Sequence, residues 1–385
     1  MFKIKTLNKI TKQGLDLFDR EKYEISEEEK NPDAVIVRSA DMHNFALNPE
    51  LKAIARAGAG YNNIPVDECV KAGIVVFTTP GANANAVKEL AAAALVLSSR
   101  NVIDAVNWAK TLKTDVAGEV ETGKSKFVGS ELLGKTLGII GVGKVGAPVA
   151  NTGVAFGMNV IGYDPYMTIE SALSLTRAVK IAKERAEIIE KSDYIILHAL
   201  VTPETKNMIN AESIAKMKNG VRIINMSRAD LVDDDAIAGA LESGKVAKYV
   251  TDFPNEKILR MKNAIAIPHL GASTEESEEN CAVMAVGQIV DFLENGNIKN
   301  SVNYPELFME RTSDTRICIF HKNVSGAISK ISSAVSELGI NIEHFTNRSK
   351  GDFAYTVFDI NGKIPGDLAR ELSGLGDIIR VNVIV

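Results

Sequence analysis

The chain has 385 residues, with 44 Lys and Arg against 49 Asp and Glu and a net charge of −5. That length accommodates two or three domains with sizeable cores, and the acidic balance excludes the basic footprint of a nucleic-acid-binding protein. Hydrophobic residues at 45% fit a globular chain, and three widely spaced cysteines (Cys69, Cys281, Cys318) form neither a disulfide framework nor a metal motif.

The N-terminal Met-Phe-Lys-Ile-Lys-Thr lacks the apolar stretch of a signal peptide, and the run Leu90 to Leu97 is too short to span a bilayer. A cytoplasmic protein without membrane contact or bound metal is expected. Residues 1 to about 96 alternate between strand and helix patterns. Strand candidates are Ala34 to Val37, Leu51 to Ala55 and Gly73 to Phe77. Each runs into a polar or glycine-rich turn: Arg38-Ser39, Arg56-Ala-Gly-Ala-Gly60 and Thr78-Thr79-Pro80-Gly81. Open α/β sheets build their crevices at that edge, so Arg38 and Arg56 read as anion-binding groups. Asn85 to Lys110 contains no Gly or Pro and reads as one long helix connecting to a second lobe. Lys113 to Ser130 reads as a polar loop over a cleft, or an arm to a neighbouring subunit, carrying Lys124 and Lys126.

Leu137 to Ile140 is an apolar run suited to a buried parallel strand, and Gly141, Gly143 and Gly146 follow it as G-x-G-x-x-G at the start of a helical stretch. In such a turn the first glycine permits the reversal, the second lets the backbone approach a pyrophosphate, and the third brings the helix close to the sheet. The helix N-terminus adds unpaired N–H groups for the phosphates. A second strand, Asn159 to Tyr163, leads to Asp164, about twenty residues past Gly146, where a ribose-binding acid belongs. Its carboxylate would repel a 2′-phosphate, so the expected cofactor is NAD rather than NADP. Further strands at Asp193 to His198, Val221 to Met226, Val246 to Val250 and Ala264 to Ile267 complete the alternation of a doubly wound parallel sheet. A helix from Ser273 to Asn295 returns to the first lobe, and Asn297 to Glu310 reads as a linker. The remainder follows a β-α-β-β-α-β order, the ferredoxin-like motif. The expected class is α/β: two Rossmann-like doubly wound lobes plus a C-terminal ferredoxin-like domain. Its boundaries are residues 1–96 with 275–303 for substrate, 97–274 for the dinucleotide and 312–385 for the C-terminal domain.

Arg228, Glu256 and His269 stand just after strands of the dinucleotide lobe. Hydride removal from a carbinol carbon must be matched by loss of the hydroxyl proton, and an imidazole titrating near neutrality suits that task. A carboxylate on its other nitrogen fixes the tautomer. An arginine recognises a substrate carboxylate in bidentate fashion.

These motifs, GVGKVG with its following Asp, Met-Ser-Arg-Ala-Asp-Leu-Val-Asp, Asp-Phe-x-x-Glu and Pro-His-Leu-Gly-Ala-Ser-Thr, resemble those of the D-isomer-specific 2-hydroxyacid dehydrogenase family across residues 1 to about 305. The resemblance implies that Arg228, Glu256 and His269 are the catalytic arginine, glutamate and histidine. It adds Lys144, Val145, Ala199, Leu200, Met226, Ser227, Arg228, Asp252, His269, Gly271 and Ala272 to Gly141, Gly143, Gly146 and Asp164 as dinucleotide contacts. The family usually has one more residue between Asp252 and the next Phe, so Thr251 is expected to share the role of that acid. Arg38-Ser39 resembles a substrate-anchoring turn, Gly58 and Ala59 offer backbone N–H groups, and Arg56, Lys124 and Lys126 are phosphate candidates. The implied reaction is oxidation of 3-phosphoglycerate to 3-phosphohydroxypyruvate. The runner-up is reduction of hydroxypyruvate, glyoxylate or another 2-oxo acid, and a non-catalytic NAD-sensing protein is the different class.

The C-terminal segment resembles an ACT domain, with His321, Asn323 and Asn341 matching residues that hold L-serine. Side-chain amides and a histidine can hold an amino acid's carboxylate and amine, although Asn323 is equally placed to cap a helix. Such modules pair edge to edge, which implies a homodimer or homotetramer.

Overall fold

The computed structural model describes residues 1–361 and 368–385, and divides into two compact units: Met1–Asn83 with Glu275–Val385, and Ala84–Thr274. The first unit holds a five-stranded parallel sheet. Its strands are β1 (Phe2–Leu7), β2 (Tyr23–Ser26), β3 (Ala34–Val37), β4 (Ala53–Arg56) and β5 (Val75–Phe77), in the order β2-β1-β3-β4-β5. β3 is buried at every residue: Ala34 and Ile36 enter one core cluster, Val35 and Val37 another. Covering on both faces is what its unbroken apolar run requires. The helix Glu275–Asn295 packs Ala285, Val286, Ile289 and Phe292 against the Ile36 side.

The second unit is a seven-stranded sheet with parallel pairing throughout. Its strands are β6 (Thr136–Ile140), β7 (Asn159–Tyr163), β8 (Lys180–Ile181), β9 (Tyr194–Leu197), β10 (Val221–Asn225), β11 (Val246–Thr251) and β12 (Ala264–Ala266), in the order β12-β11-β10-β9-β6-β7-β8. Strand order reverses at β6, next to β9, and a crevice at the carboxyl ends there is where such sheets bind ligands. The long helix expected from 85 to 110 is two helices, Ala84–Ser99 and Val102–Ala109. Ser98 and Ser99 turn their hydroxyls back onto the Leu95 carbonyl, which weakens continuation of the helix. The first helix packs Ala91, Ala94 and Leu95 with Leu137, Ile139 and Val149. The boundary between units therefore falls at Asn83/Ala84, not near 96. The expected loop at 113–130 contains a helix, Val116–Gly123, and a 3-10 turn, Lys124–Phe127. Trp108 seats it, its ring tilted 41° to that of Phe127 at 5.3 Å and lying so close over Gly123 that a Cβ there would clash.

The C-terminal segment is a four-stranded antiparallel sheet: β13 (Thr315–Lys322), β14 (Ile342–Lys350), β15 (Phe353–Ile360) and β16 (Ile378–Ile384), ordered β14-β15-β13-β16. It shares a compact unit with the first sheet. One face has its own core of Ile317, Ile319, Ile331, Val335 and Phe358. The other contributes Cys318, Phe320, Tyr355 and Val357 to the core of the first unit. The expected linker is part of that seam, since Ile298, Tyr304, Leu307 and Met309 are buried in the same cluster. Arg316 is fully buried. Its Nε and Nη2 donate to Asp359 at 2.7 and 2.9 Å, and the rest of the guanidinium reaches the carbonyls of Asn295, Met309 and Glu310. Arg380 likewise donates to the carbonyls of Pro49, Glu50 and Leu51, just ahead of β4.

Candidate active site

Gly141 has φ +93°, and a Cβ there would lie 2.5 Å from the His198 carbonyl oxygen of β9's end. A Cβ on Gly146, the first residue of the helix Gly146–Ala155, would lie 1.9 Å from the Gly141 oxygen. Gly143 is different: a Cβ there would meet nothing within 4 Å, so its missing side chain leaves open space for a ligand. Asp164, at the end of β7, accepts from Val142 N at 2.9 Å and from Tyr166 N at 2.9 Å, which fixes its carboxylate beside the glycine turn. Lys144 is exposed, and Val145 stands just ahead of the helix without a side-chain cap. On the other side of the switch point, the Ser227 hydroxyl donates to the Ala199 carbonyl at 2.7 Å and ties the ends of β9 and β10 together. Leu200 is exposed, whereas Met226 is buried in the core.

Asp252 follows β11 and is 1% exposed. Its Oδ2 accepts from Gly271 N at 3.1 Å, while its Oδ1 is buried without a partner among the described residues. Burial holds the carboxyl above its ordinary range, and the charges of His269 and Arg228, with the Gly271 bond, partly offset that. His269 is exposed and lies with its ring 4.8 Å from that of Phe253. Arg228 is half-buried, its extended backbone steadied by Asn225 Nδ2 donating to its carbonyl at 2.8 Å. The structure thus gathers Arg228, Asp252, His269 and Gly271 at one edge, with Ala272 next in the chain. Glu256 does not join them as expected: it is exposed, and among the described residues no hydrogen bond links it to His269. The short loop is organised around Asn255 instead. That side chain donates to Asp234 at 2.8 Å and accepts from Lys257 N and Ile258 N. Thr251 is buried and accepts from Phe253 N, so its hydroxyl serves the loop itself.

These features fit a dinucleotide: space at Gly143, a fixed acid at Asp164, and at Asp252 an orphaned acceptor suited to an amide donor. His198 was not singled out from the sequence. Its Nε2 is buried without a partner among the described residues, and burial lowers the ring to about 4.

In the first unit Arg38 follows β3 and Arg56 closes β4. Arg56 Nε donates to the Arg38 carbonyl at 3.0 Å, and a Cβ on Gly58 would overlap Arg56 Nη1. Ser39 N and Ala40 N both donate to Asn8 Oδ1, and Ala59 is exposed. Arg38 Nη2 also pairs with Glu278 at 2.7 Å, a contact the sequence reading missed. Lys124 and Lys126 belong to the other unit, both exposed, and Lys124 is already paired with Glu121.

The expected serine ligands do not assemble within one chain. His321 is 2% exposed, and its two ring nitrogens bond the Lys322 carbonyl and Thr356 Oγ1 at 2.9 Å. Asn323 donates to the Gly351 carbonyl at 3.0 Å and Asn341 to Glu343 at 2.9 Å. Strand register explains the separation: His321 stands level with Ala354 and Ser349, whereas Asn341 precedes Ile342, level with Ile360 and Thr315. Six residues of strand put the two ends roughly 20 Å apart.

Residues 92–271 match the D-isomer specific 2-hydroxyacid dehydrogenase NAD-binding domain. The chain is 36% identical over 299 residues to D-3-phosphoglycerate dehydrogenase of Methanocaldococcus jannaschii, covering 75% of this chain and 55% of that protein. It is 37% identical over 269 residues to hydroxypyruvate reductase of Thermotoga maritima, covering 67% of this chain and 83% of that one. Among solved structures, NAD-bound 3-phosphoglycerate dehydrogenase of Entamoeba histolytica matches with TM-score 0.62 and 29% identity, over 78% of this chain and 98% of that one. The chain belongs to the D-isomer specific 2-hydroxyacid dehydrogenase family. Its second unit is an NAD-binding domain, and NAD is its cofactor. The chain spans 49% to 64% of the length of three of the curated phosphoglycerate dehydrogenases it matches.

Proposed function

We propose that the chain is an NAD-dependent dehydrogenase that oxidises the C2 hydroxyl of 3-phosphoglycerate to 3-phosphohydroxypyruvate, an early step towards L-serine. The observation that carries the substrate is the placement of Arg38 and Arg56 at adjacent strand ends, with Arg56 Nε donating to the Arg38 backbone carbonyl at 3.0 Å. Two such forks suit a phosphate dianion. NAD, held at the Gly141–Gly146 turn, would supply the hydride acceptor for C2. His269 takes the hydroxyl proton as general base, and Arg228 holds the substrate carboxylate and polarises the forming carbonyl. Asp252 Oδ1 would accept from the amide of the nicotinamide end, and Asp164 would accept from the ribose hydroxyls. Glu256 is the acid that the family's motif pairs with His269. Arg38→Ala should raise the KM for 3-phosphoglycerate at least tenfold while leaving NAD affinity unchanged; an unchanged KM contradicts the assignment.

The likeness to a hydroxypyruvate reductase supports a second reading, reduction of small 2-oxo acids. The two differ in dependence on Arg38, which an unphosphorylated acid does not need.

The C-terminal segment is read as an ACT domain. Its antiparallel strand order supports this, and a serine site there takes Asn341 from a second copy, because one chain holds the ligands at opposite ends of the sheet. A homodimer or homotetramer follows from that reading. No helix among the described residues is long and apolar enough to cross a membrane, which accords with action in the cytoplasm.

A further inference from the structure

Glu278 lies in the first turn of the helix Glu275–Asn295, and its Oε1 is 2.7 Å from Arg38 Nη2. Cys281, one turn further along the same helix, is buried. Burial raises its thiol, and the charges of Arg56 and Arg38 act against that rise. One helix face therefore meets the two strand-end arginines, and Arg56 in turn is tied to the Arg38 carbonyl. The helix does not need Glu278 to balance its N-terminus, since Glu275 and Glu276 also stand in that turn. The pair itself is open to solvent, with side-chain exposures of 38% and 35%.

We propose that Glu278 is a built-in competitor for the anion site, holding Arg38 until a phosphate dianion displaces it and so tempering the affinity for phosphorylated 2-hydroxy acids. This rests on the reading of Arg38 as the substrate anchor. A guanidinium released from a carboxylate monoanion gains by binding a dianion with the same fork geometry. The hydroxymethyl end of an unphosphorylated acid is uncharged and cannot make that exchange. The displaced carboxylate turns into water at little cost, because an exposed pair contributes only modestly to stability.

The test compares wild type, Glu278→Gln, Arg38→Gln and the double variant. Two readouts are taken: competitive inhibition by inorganic phosphate against whichever acid is turned over, and kcat/KM for 3-phosphoglycerate and for glycerate. Glu278→Gln should tighten phosphate inhibition roughly three- to tenfold and lower the KM for 3-phosphoglycerate to match, with glycerate unchanged. The gain should vanish in the Arg38→Gln background. Phosphate inhibition that is unchanged or weaker in Glu278→Gln overturns the proposal and leaves Glu278 as a support that orients Arg38. A gain that persists without Arg38 overturns it as well. Phosphate inhibition can also be read during hydroxypyruvate reduction, so failure of the substrate reading (no wild-type turnover of 3-phosphoglycerate) is seen separately.

Discussion

The amide of Gly271 donates to Oδ2 of Asp252 across 3.1 Å, joining the buried carboxylate at the end of β11 to the loop that carries His269. Burial raises the Asp252 carboxyl above its usual 3.8, so the folded chain holds that proton more tightly than the unfolded chain does. The contribution of Asp252 to stability is then most favourable below this window, falls as pH rises from 3.8 through the raised value, and carries the full penalty above it. Asp252→Asn removes the charge and should melt at a higher temperature than wild type at neutral pH, with the difference disappearing in acid. The same variant should raise the KM for NAD. Equal melting temperatures at pH 7 would show that the buried charge costs nothing.

The glycines of the turn make opposite predictions. Alanine at position 146 places a Cβ 1.9 Å from the Gly141 oxygen and must disturb the turn, so Gly146→Ala should lose both stability and NAD binding. Alanine at position 143 meets no protein atom within 4 Å. Gly143→Ala should therefore melt like wild type yet bind NADH on the order of tenfold more weakly, because its methyl occupies the space of the pyrophosphate. Paired thermal melts and NADH fluorescence titrations separate the two outcomes.

Arg316 and Asp359 form a pair with both side chains fully buried. Asp359→Ala leaves a guanidinium away from water with only carbonyls to hold it. The expected loss in urea denaturation is about 3 kcal/mol or more, far above the cost of breaking an exposed pair such as Lys12–Asp16. Because Arg316 also reaches Asn295, at the end of the helix that carries Glu278, the variant should unfold the C-terminal sheet and the first lobe in one transition. Two separated transitions would mean that the shared core does not couple them.

What was legible in the sequence followed from local chemistry. Gly141, Gly143, Gly146 and Asp164 are fixed by one strand–turn–helix–strand unit, and Arg228 and His269 by their place after apolar strands. β1 and β2 escaped because Lys3, Lys5, Glu24 and Ser26 dilute their apolar pattern, and β8 has only two residues. The break after Ser99 turns on hydroxyls bonding back to Leu95, which periodicity does not register. Long-range facts were out of reach for a different reason. The Arg38–Glu278 pair spans most of the chain, and the distance between His321 and Asn341 depends on sheet register. The fusion of the C-terminal sheet to the first lobe rests on residues such as Tyr355, which bonds the Gly296 carbonyl at 2.7 Å.

The most direct measurement is NADH formation at 340 nm from 3-phosphoglycerate and NAD, with glycerate and lactate as controls and with His269→Gln in parallel. Turnover confined to the phosphorylated acid, and lost in His269→Gln, is the predicted result. Reduction of hydroxypyruvate or glyoxylate with no turnover of 3-phosphoglycerate would contradict it.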